Sequence, residues 1–417
     1  MRYALLVGMI MTMVACDTVP THPDDEIHQM HLNIIMKHKD EMSYPQVDSN
    51  PKYFTENKYP DEEVLAYQIA DEVMYTVDRN ADKGVKRASR DAHPKENGCV
   101  KAEFHTYQDL DPSLAKGVFT DGHVYEALIR LSNSSENPAG NDHDNDARGM
   151  AIKLTHQLEN DQGLRVKNLL EREQDFIMIN HPVFILDDPS DYLTLTQAQN
   201  TENVVPKVLK MLSALWFKGI INAKETIFQE EKVKNPLQTQ YYSMVPYRLG
   251  KESDPERRAI KFSAKPYTLS PPNSSLSPDV ASSCIAVQSS EPQEQDESYL
   301  RTALRETLKN GDACMEFMVQ EGTKDMSVEN SQVEWEDKGA SKFRPVALIK
   351  ILKQPLGEWH ESACENESFD PWNAGDEHRP LGVVNRLRKV IYPIVSDYRH
   401  CLNYPEKAGC PVNTGGD

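Results

Sequence analysis

Arg388 and Tyr392 stand four residues apart in the run Asn385-Arg-Leu-Arg-Lys-Val-Ile-Tyr392. On a helix that spacing puts a guanidinium and a phenol on one face. A phenol ordinarily titrates near pH ~10, so at neutral pH it is a poor metal ligand. A neighbouring cation favours the phenolate, and an arginine never gives up its charge. The same face comes round again near Arg399, where a second guanidinium is suited to an anion such as a carboxylate. The plain alternative is an amphipathic helix with its basic residues in solvent and Tyr392 in the core.

Further chemistry-bearing residues interrupt apolar runs. His93 follows Arg90 by three in Arg90-Asp-Ala-His93-Pro. Arg130 is flanked by leucine and isoleucine, with Ser132 two further along the same strand face. Asn180 closes an apolar run just before His181-Pro182. Buried polar groups need partners. A histidine, a serine to orient it, a carboxamide and arginines together suit O–O bond chemistry. The imidazole can take a proton from a peroxide and return it to the leaving oxygen. The carboxamide can hold the peroxide by hydrogen bonding. Individually each has an ordinary explanation, and a surface or satisfied core histidine is the default for any one of the 13 in the chain.

The elements that must position these residues are mostly short strands. Alternation predicts strands at Cys99 to Tyr107, Leu128 to Ser132, Gly149 to Leu154 and Phe176 to Asn180, separated by turn-rich loops. Strand patterns return at Gln240 to Pro246, Ala259 to Ser263, Cys314 to Val319 and Val346 to Leu352. Such a series favours an antiparallel sheet or barrel. Apolar periodicity predicts helices at Asp61 to Asp78, at 203–228, at 298–312 and at 380–403. Residues 17–60 read as a tether and loosely ordered arm. The Ser/Pro/acid-rich stretch 266–297 reads as a surface insertion, and 61–417 as one large domain.

The chain has 417 residues, 39% of them hydrophobic, enough for a core but not for a multi-pass membrane protein. Its net charge of -19 disfavours nucleic acid and anionic membrane as partners. Arg2 followed by an apolar stretch to Val14 reads as a signal segment, 1–16. The ending Met13-Val14-Ala15-Cys16 resembles a bacterial lipobox, with Cys16 lipidated and the mature protein held at the periplasmic side of the envelope. An ordinary cleaved signal is the alternative. Six further cysteines, Cys99, Cys284, Cys314, Cys364, Cys401 and Cys410, are consistent with disulfides in an exported chain. Cys401 and Cys410 close a short loop and are the favoured pair; the other four leave three connectivities open. No CxxC motif supports zinc or redox-active cysteine chemistry.

Six blocks of sequence are similar, in order, to the haem catalase superfamily and especially to its short, catalase-like bacterial members. They are Arg90-Asp-Ala-His93, Ile129-Arg-Leu-Ser132, Ala147-Arg-Gly-Met-Ala-Ile-Lys-Leu154, Asp175-Phe-Ile-Met-Ile-Asn-His-Pro-Val-Phe184, Phe343-Arg-Pro-Val-Ala347 and Arg388 to Tyr392. Asp370-Pro-Trp-Asn373 and Arg379-Pro-Leu-Gly382 fit the catalase-like branch. The resemblance implies an α+β fold, an antiparallel eight-stranded β-barrel with surrounding helices. It implies haem b, with Tyr392 as the iron ligand and Arg388 beside it. It also implies His93 and Asn180 as distal catalytic residues and Ser132 orienting His93. Arg90, Arg130 and Arg399 match positions that meet the haem propionates, and Phe184 falls near the aromatic wall.

The sequence departs from that pattern at three places. Ala92 stands where the family carries valine at the throat of the access channel, which widens access to bulkier hydroperoxides. His181 replaces the usual threonine and adds a titratable group near the pocket mouth. Asp91 is unusual beside Arg90. The family's nucleotide-binding segments do not appear, so NADPH is not expected. The reading is therefore a lipid-anchored haem enzyme that decomposes hydrogen peroxide or organic hydroperoxides. The alternatives are a rearrangement of fatty hydroperoxides like that of allene oxide synthase, or a non-catalytic haem- or hydrophobe-binding lipoprotein. A homo-oligomer is allowed but not specified.

Overall fold

The computed structural model describes residues 25–81, 87–120, 122–134, 137–144, 146–159, 165–201, 232–268, 280, 283–288, 291–357, 364–406 and 409–410. Its strands alternate as the sequence predicts. In β3 (Glu96–Thr106), Val100, Ala102 and Phe104 are buried and stand in register against Ile129, Ala127 and Tyr125 of β4 (Val124–Asn133). β5 (Arg148–Glu159) and β6 (Arg165–Ile179) continue the antiparallel series. The next strand is β7 (Tyr241–Tyr242), followed by β9 (Arg258–Pro266), β11 (Asp312–Glu321) and β12 (Arg344–Ile351). β11 pairs with both β9 and β12, and β12 pairs back to β3. The eight strands therefore close on themselves, leaving no open edge in the ring. β8 (Tyr247–Leu249) extends from β9, and β10 (Cys284–Ile285) runs parallel to β11.

The barrel interior is packed rather than open. Phe104, Phe119, Phe176, Phe262 and Phe317 meet there, with ring centroids 4.8 Å apart for Phe176–Phe317 and 5.1 Å for Phe104–Phe317. Any site must therefore lie at an end of the barrel. β1 (Ser49–Asn50) and β2 (Phe54–Thr55) form a separate two-stranded sheet.

Among the described residues five α-helices surround this barrel. They are α1 (Asp25–Glu41), α2 (Glu62–Ala81), α3 (Pro189–Asn200), α4 (Tyr299–Asn310) and α5 (Val383–Asn403). The predicted helices at 61–78, 298–312 and 380–403 correspond to α2, α4 and α5. The one at 203–228 lies outside the described residues, as do the expected signal segment and Cys16. The arm differs from expectation, because 25–41 is helical and docked. Its inward positions are His31, Ile34, Ile35 and His38, a helical stripe in which two of the four residues are polar. His31 Nδ1 and Nε2 sit 2.9 and 3.0 Å from Asp71 and Asp78 of α2, and His38 Nε2 is 3.0 Å from Asp397 of α5. Ion pairing replaces apolar periodicity, which is why composition alone reads the segment as loose chain. The described part of 266–297 contributes β10.

The three disulfides are Cys99–Cys364, Cys284–Cys314 and Cys401–Cys410. The first ties the barrel wall to the segment leading toward α5. The second ties β10 to β11.

α5 starts at Gly382, whose φ is 85° and whose added Cβ would lie 2.2 Å from the Val328 carbonyl oxygen, so only glycine fits. One turn on, the fully buried Arg386 donates to Glu62 (2.7 Å), Glu56 (2.7 Å) and Glu329 (3.1 Å). This network fastens α5 to the arm and to the start of α2. Removing one partner of a buried pair costs roughly 3–5 kcal/mol because the remaining charges stay desolvated. Arg386→Ala, which strands three carboxylates, is therefore expected to lower unfolding stability by about that amount or more in a urea titration. A loss under about 1 kcal/mol would show that the network does not hold α5.

Candidate functional site

The strand register brings the singled-out residues to one rim of the barrel. Ser132 at the end of β4 lies opposite Gly149 of β5, which lies opposite Ile179 at the end of β6. His93 belongs to the loop entering β3. Its φ is 58°, a left-handed conformation uncommon for a residue with a side chain. Two contacts hold it there. Arg130 Nη2 donates to the His93 carbonyl at 2.8 Å, and His93 Nδ1 lies 3.1 Å from Ser132 Oγ. A Cβ on Gly149 would stand 2.5 Å from Nδ1 and 2.7 Å from Ser132 Oγ, so the absence of a side chain there creates the imidazole's berth. Sequence alternation gives no signal for Gly149's role.

Burial pushes the His93 imidazole down to about 3, and the charges of Arg130 and Arg388 push in the same direction. The ring is therefore neutral across the physiological range and can accept a proton at the nitrogen not engaged with Ser132.

Tyr392 and Arg388 do share one face of α5. The guanidinium carbon lies 5.8 Å from the Tyr392 ring centroid and 5.3 Å from that of Phe184, a cation flanked by two aromatic faces. The expected lowering of the phenol's pKa is not the net result. Burial pushes Tyr392 up, and the attraction of Arg388 offsets this only in part, with Asp91 and Asp370 adding to the rise. The side chain is thus a phenol in this environment. A bound metal ion would have to supply the remaining drive to a phenolate. Pro393 follows directly and removes one helical backbone donor beside the ring.

The arginines gather on one side of the site. Arg90 donates to Glu365 Oε2 at 2.8 Å and to the Cys364 and Glu367 carbonyls at 2.7 and 2.6 Å. Arg399 donates to the Glu365 carbonyl at 2.8 Å and stands 3.4 Å from its carboxylate. Arg130 lies 3.4 Å from Glu96 through Nε, which makes no hydrogen bond to the described residues. Burial and repulsion from Arg90 hold Arg130 and Arg399 down to about 10, and burial pushes the Glu96 carboxyl up to about 7.

A cavity of about 530 Å³ joins these groups. Its lining includes Arg90, His93, Arg130, Ser132, Phe184, Arg388, Tyr392 and Arg399, every residue expected at the site except Asn180. Asn180 is buried behind the rim. Its Oδ1 accepts from the Arg148 backbone N–H at 2.7 Å, a bond that orients the carboxamide and links β5 to the end of β6 while leaving Nδ2 outside that contact. His181 is also outside the lining; its Nδ1 lies 3.3 Å from the Val183 carbonyl, and burial holds it below the ordinary imidazole value. Ala92 and Asp91 both line the cavity. Two lining groups lay beyond the sequence reading of the site. Tyr192 is set on α3, which Asp188 caps by accepting from Ser190 N–H, and burial raises its phenol. Asp370 is raised to about 6 by burial. Asp370 opens the block Asp370-Pro-Trp-Asn373, which the sequence singles out without assigning the carboxylate a role. Among the described residues, no group of three or more His, Cys, Asp or Glu side chains is placed to hold a metal ion.

No protein-family model matches this chain, and no curated protein matches it by sequence. Solved structures do match it in shape. A fungal catalase superposes with TM-score 0.58 at 17% identity, over 89% of this chain and 68% of that one. Catalase A from Saccharomyces cerevisiae gives 0.57 at 18%, over 89% and 70%. A bacterial catalase gives 0.56 at 16%, over 90% and 68%. At such identities the likeness concerns architecture alone: the chain has a catalase-like fold, a closed eight-stranded antiparallel barrel with helices around it.

Proposed function

We propose that this protein is an exported, lipid-anchored haem enzyme that decomposes hydrogen peroxide or organic hydroperoxides. One observation carries the reading: a neutral, serine-held imidazole lines the same apolar cavity as a tyrosine backed by a buried arginine. The residues present fit haem b. Ile177, Ile179 and Ile391 offer apolar walls, Phe184 an aromatic one, the Arg90, Arg130 and Arg399 group suits propionates, and Tyr392 suits ferric iron.

When bound, haem supplies the redox chemistry that cleaves the O–O bond. The chain's own contribution is proton management. With Nδ1–H donating to Ser132 Oγ, Nε2 is left as a base. It takes the proton of the incoming hydroperoxide and returns it to the oxygen that leaves. Burial, helped by the field of Arg130 and Arg388, keeps the imidazole from being protonated by solvent beforehand. Arg388 stabilises negative charge that develops on the Tyr392 oxygen. Asn180, oriented by the Arg148 N–H at its Oδ1, keeps its Nδ2 to hold the peroxide by hydrogen bonding. The small Ala92 leaves room for an alkyl hydroperoxide, so organic substrates belong to the proposal beside hydrogen peroxide. The phenol state of Tyr392, which burial maintains against the pull of Arg388, favours the second reading, a haem or hydrophobe carrier of little catalytic power.

The two readings separate at His93. His93→Ala in the haem-loaded protein is expected to lose on the order of 10²–10⁴-fold in peroxide turnover while still binding haem. Unchanged turnover would leave only the carrier. The imidazole itself is testable without haem. Because its folded-state pKa lies below the unfolded value, protonation favours the unfolded chain, and His93's contribution to stability falls as pH drops from ~6.5 toward 3. Imidazole NMR of the folded protein should show no His93 titration between pH 5 and 8. A midpoint near 6.5 would contradict the buried, neutral assignment.

A further inference from the structure

Large apolar side chains are not exposed evenly over this molecule. Among the described residues, four such side chains, Leu32, Met36, Val47 and Val64, fall between α1 and the start of α2, and only Val333 is exposed elsewhere. Leu32 and Met36 stand four apart on α1, so they share one face of it. They are 38% and 53% exposed, whereas Ile34, Ile35 and His38 on the opposite side are buried. The contacts of His31 with Asp71 and Asp78 hold the helix to the body, so the apolar face is presented from a fixed position.

The polar groups around these side chains are largely satisfied within the protein. Gln29 and Asn33 hydrogen-bond to each other at 3.2 Å. Lys37 is paired with Asp397 at 3.3 Å. Lys39 stands 5.5 Å from the ring centroid of Tyr67, which lies one turn from Val64 on α2. From Ile27 to Lys39 the sequence has Lys37, Lys39 and three histidines but no carboxylate, although the whole chain carries a net charge of -19. A lipid headgroup layer therefore meets no fixed negative charge along this stretch.

The length of chain before α1 indicates what covers the face. Residues 17–24 separate Cys16 from Asp25, a reach of roughly 30 Å at most. A tether that short holds α1 beside the bilayer at an effective concentration on the order of millimolar, so even a modest apolar contact is populated. Among the described residues no helix is long and apolar enough to cross a membrane. The contact is therefore with the surface layer, the depth to which an amphipathic helix sinks.

We propose that the outward face of α1 and the start of α2, carrying Leu32, Met36 and Val64, is seated on the lipid bilayer. This rests on the proposed lipid anchor at Cys16 and deepens it, because it says which side of the protein meets the membrane. Lys37 and His38 bind Asp397, a residue of the cavity lining, so the seated helix also touches the wall of the candidate site.

The test uses the full acylated chain in phosphatidylcholine vesicles that contain lipid spin-labelled near the headgroup. An environment-sensitive fluorophore is attached at Met36→Cys and, for comparison, at Val333→Cys. The label at position 36 is expected to emit further to the blue and to be quenched several-fold more than the label at 333. Equal quenching at the two positions would overturn the proposal. A label at 36 that shifts to the blue without quenching is covered by protein, which would give the face to a second copy of the chain and also overturn it. Adding Leu32→Asp and Val64→Asp, both at exposed positions, should bring quenching at 36 down to the level at 333; unchanged quenching would count against the proposal. Mass spectrometry of the amino terminus separates the two readings. If Cys16 carries no acyl group, the lipid-anchor reading fails. The face is then judged on nickel-chelating vesicles that hold a chain with a histidine tag in place of residues 1–16. Selective quenching at 36 there sustains the proposal, and its absence overturns it.

Discussion

A fully buried guanidinium cannot lose its partners without leaving charges stranded in a medium that solvates them poorly. Arg386 is such a group, and its carboxylates come from three separate places: Glu56 in the arm, Glu62 at the start of α2 and Glu329 in the chain after β11. The ion network fixes where α5 begins, and α5 carries Arg388, Tyr392 and Arg399. Helical geometry then fixes where those three point. The barrel rim supplies the opposing set, His93 and Ser132, through strand register. The candidate site is thus the meeting of two rigid bodies, one held by hydrogen-bonded strands and one by buried charge.

The electrostatics of that meeting favour a neutral base beside fixed cations. Burial and two arginines act on His93 in the same sense, so its protonation is disfavoured from every side. Tyr392 experiences opposed influences, with burial winning over Arg388. The environment alone therefore prepares a base but not a phenolate. A cationic metal at the phenol oxygen would complete the second preparation.

Much of the fold was legible because strands and helices announce themselves by period. The strand runs from Cys99 to Asn180 and the apolar face before Tyr392 needed only alternation and spacing. The arm was misread because His31 and His38 take inward positions that composition assigns to solvent, and only the distant Asp71, Asp78 and Asp397 make that burial affordable. The site was legible as a set of residue types, yet the sequence carried no information on which atoms reach the cavity. Asn180 carries two kinds of polar atom, and only the structure shows that its Oδ1 is taken by the Arg148 backbone. The pairing of Glu365 with Arg90 and Arg399 gave no local signal, since it goes with a disulfide that brings residues 99 and 364 together from across the chain. Three pairings of four cysteines were equally open on sequence, and only the closed barrel selects among them.

The central claim is that Tyr392 is the protein's ligand to haem iron. The most direct measurement is the absorption spectrum of the haem-reconstituted protein beside that of Tyr392→Phe prepared in the same way. The account predicts a ferric high-spin, five-coordinate type of spectrum for the native chain, and a changed spectrum with reduced haem occupancy for the variant. Stoichiometric haem with an identical spectrum in both proteins would contradict it.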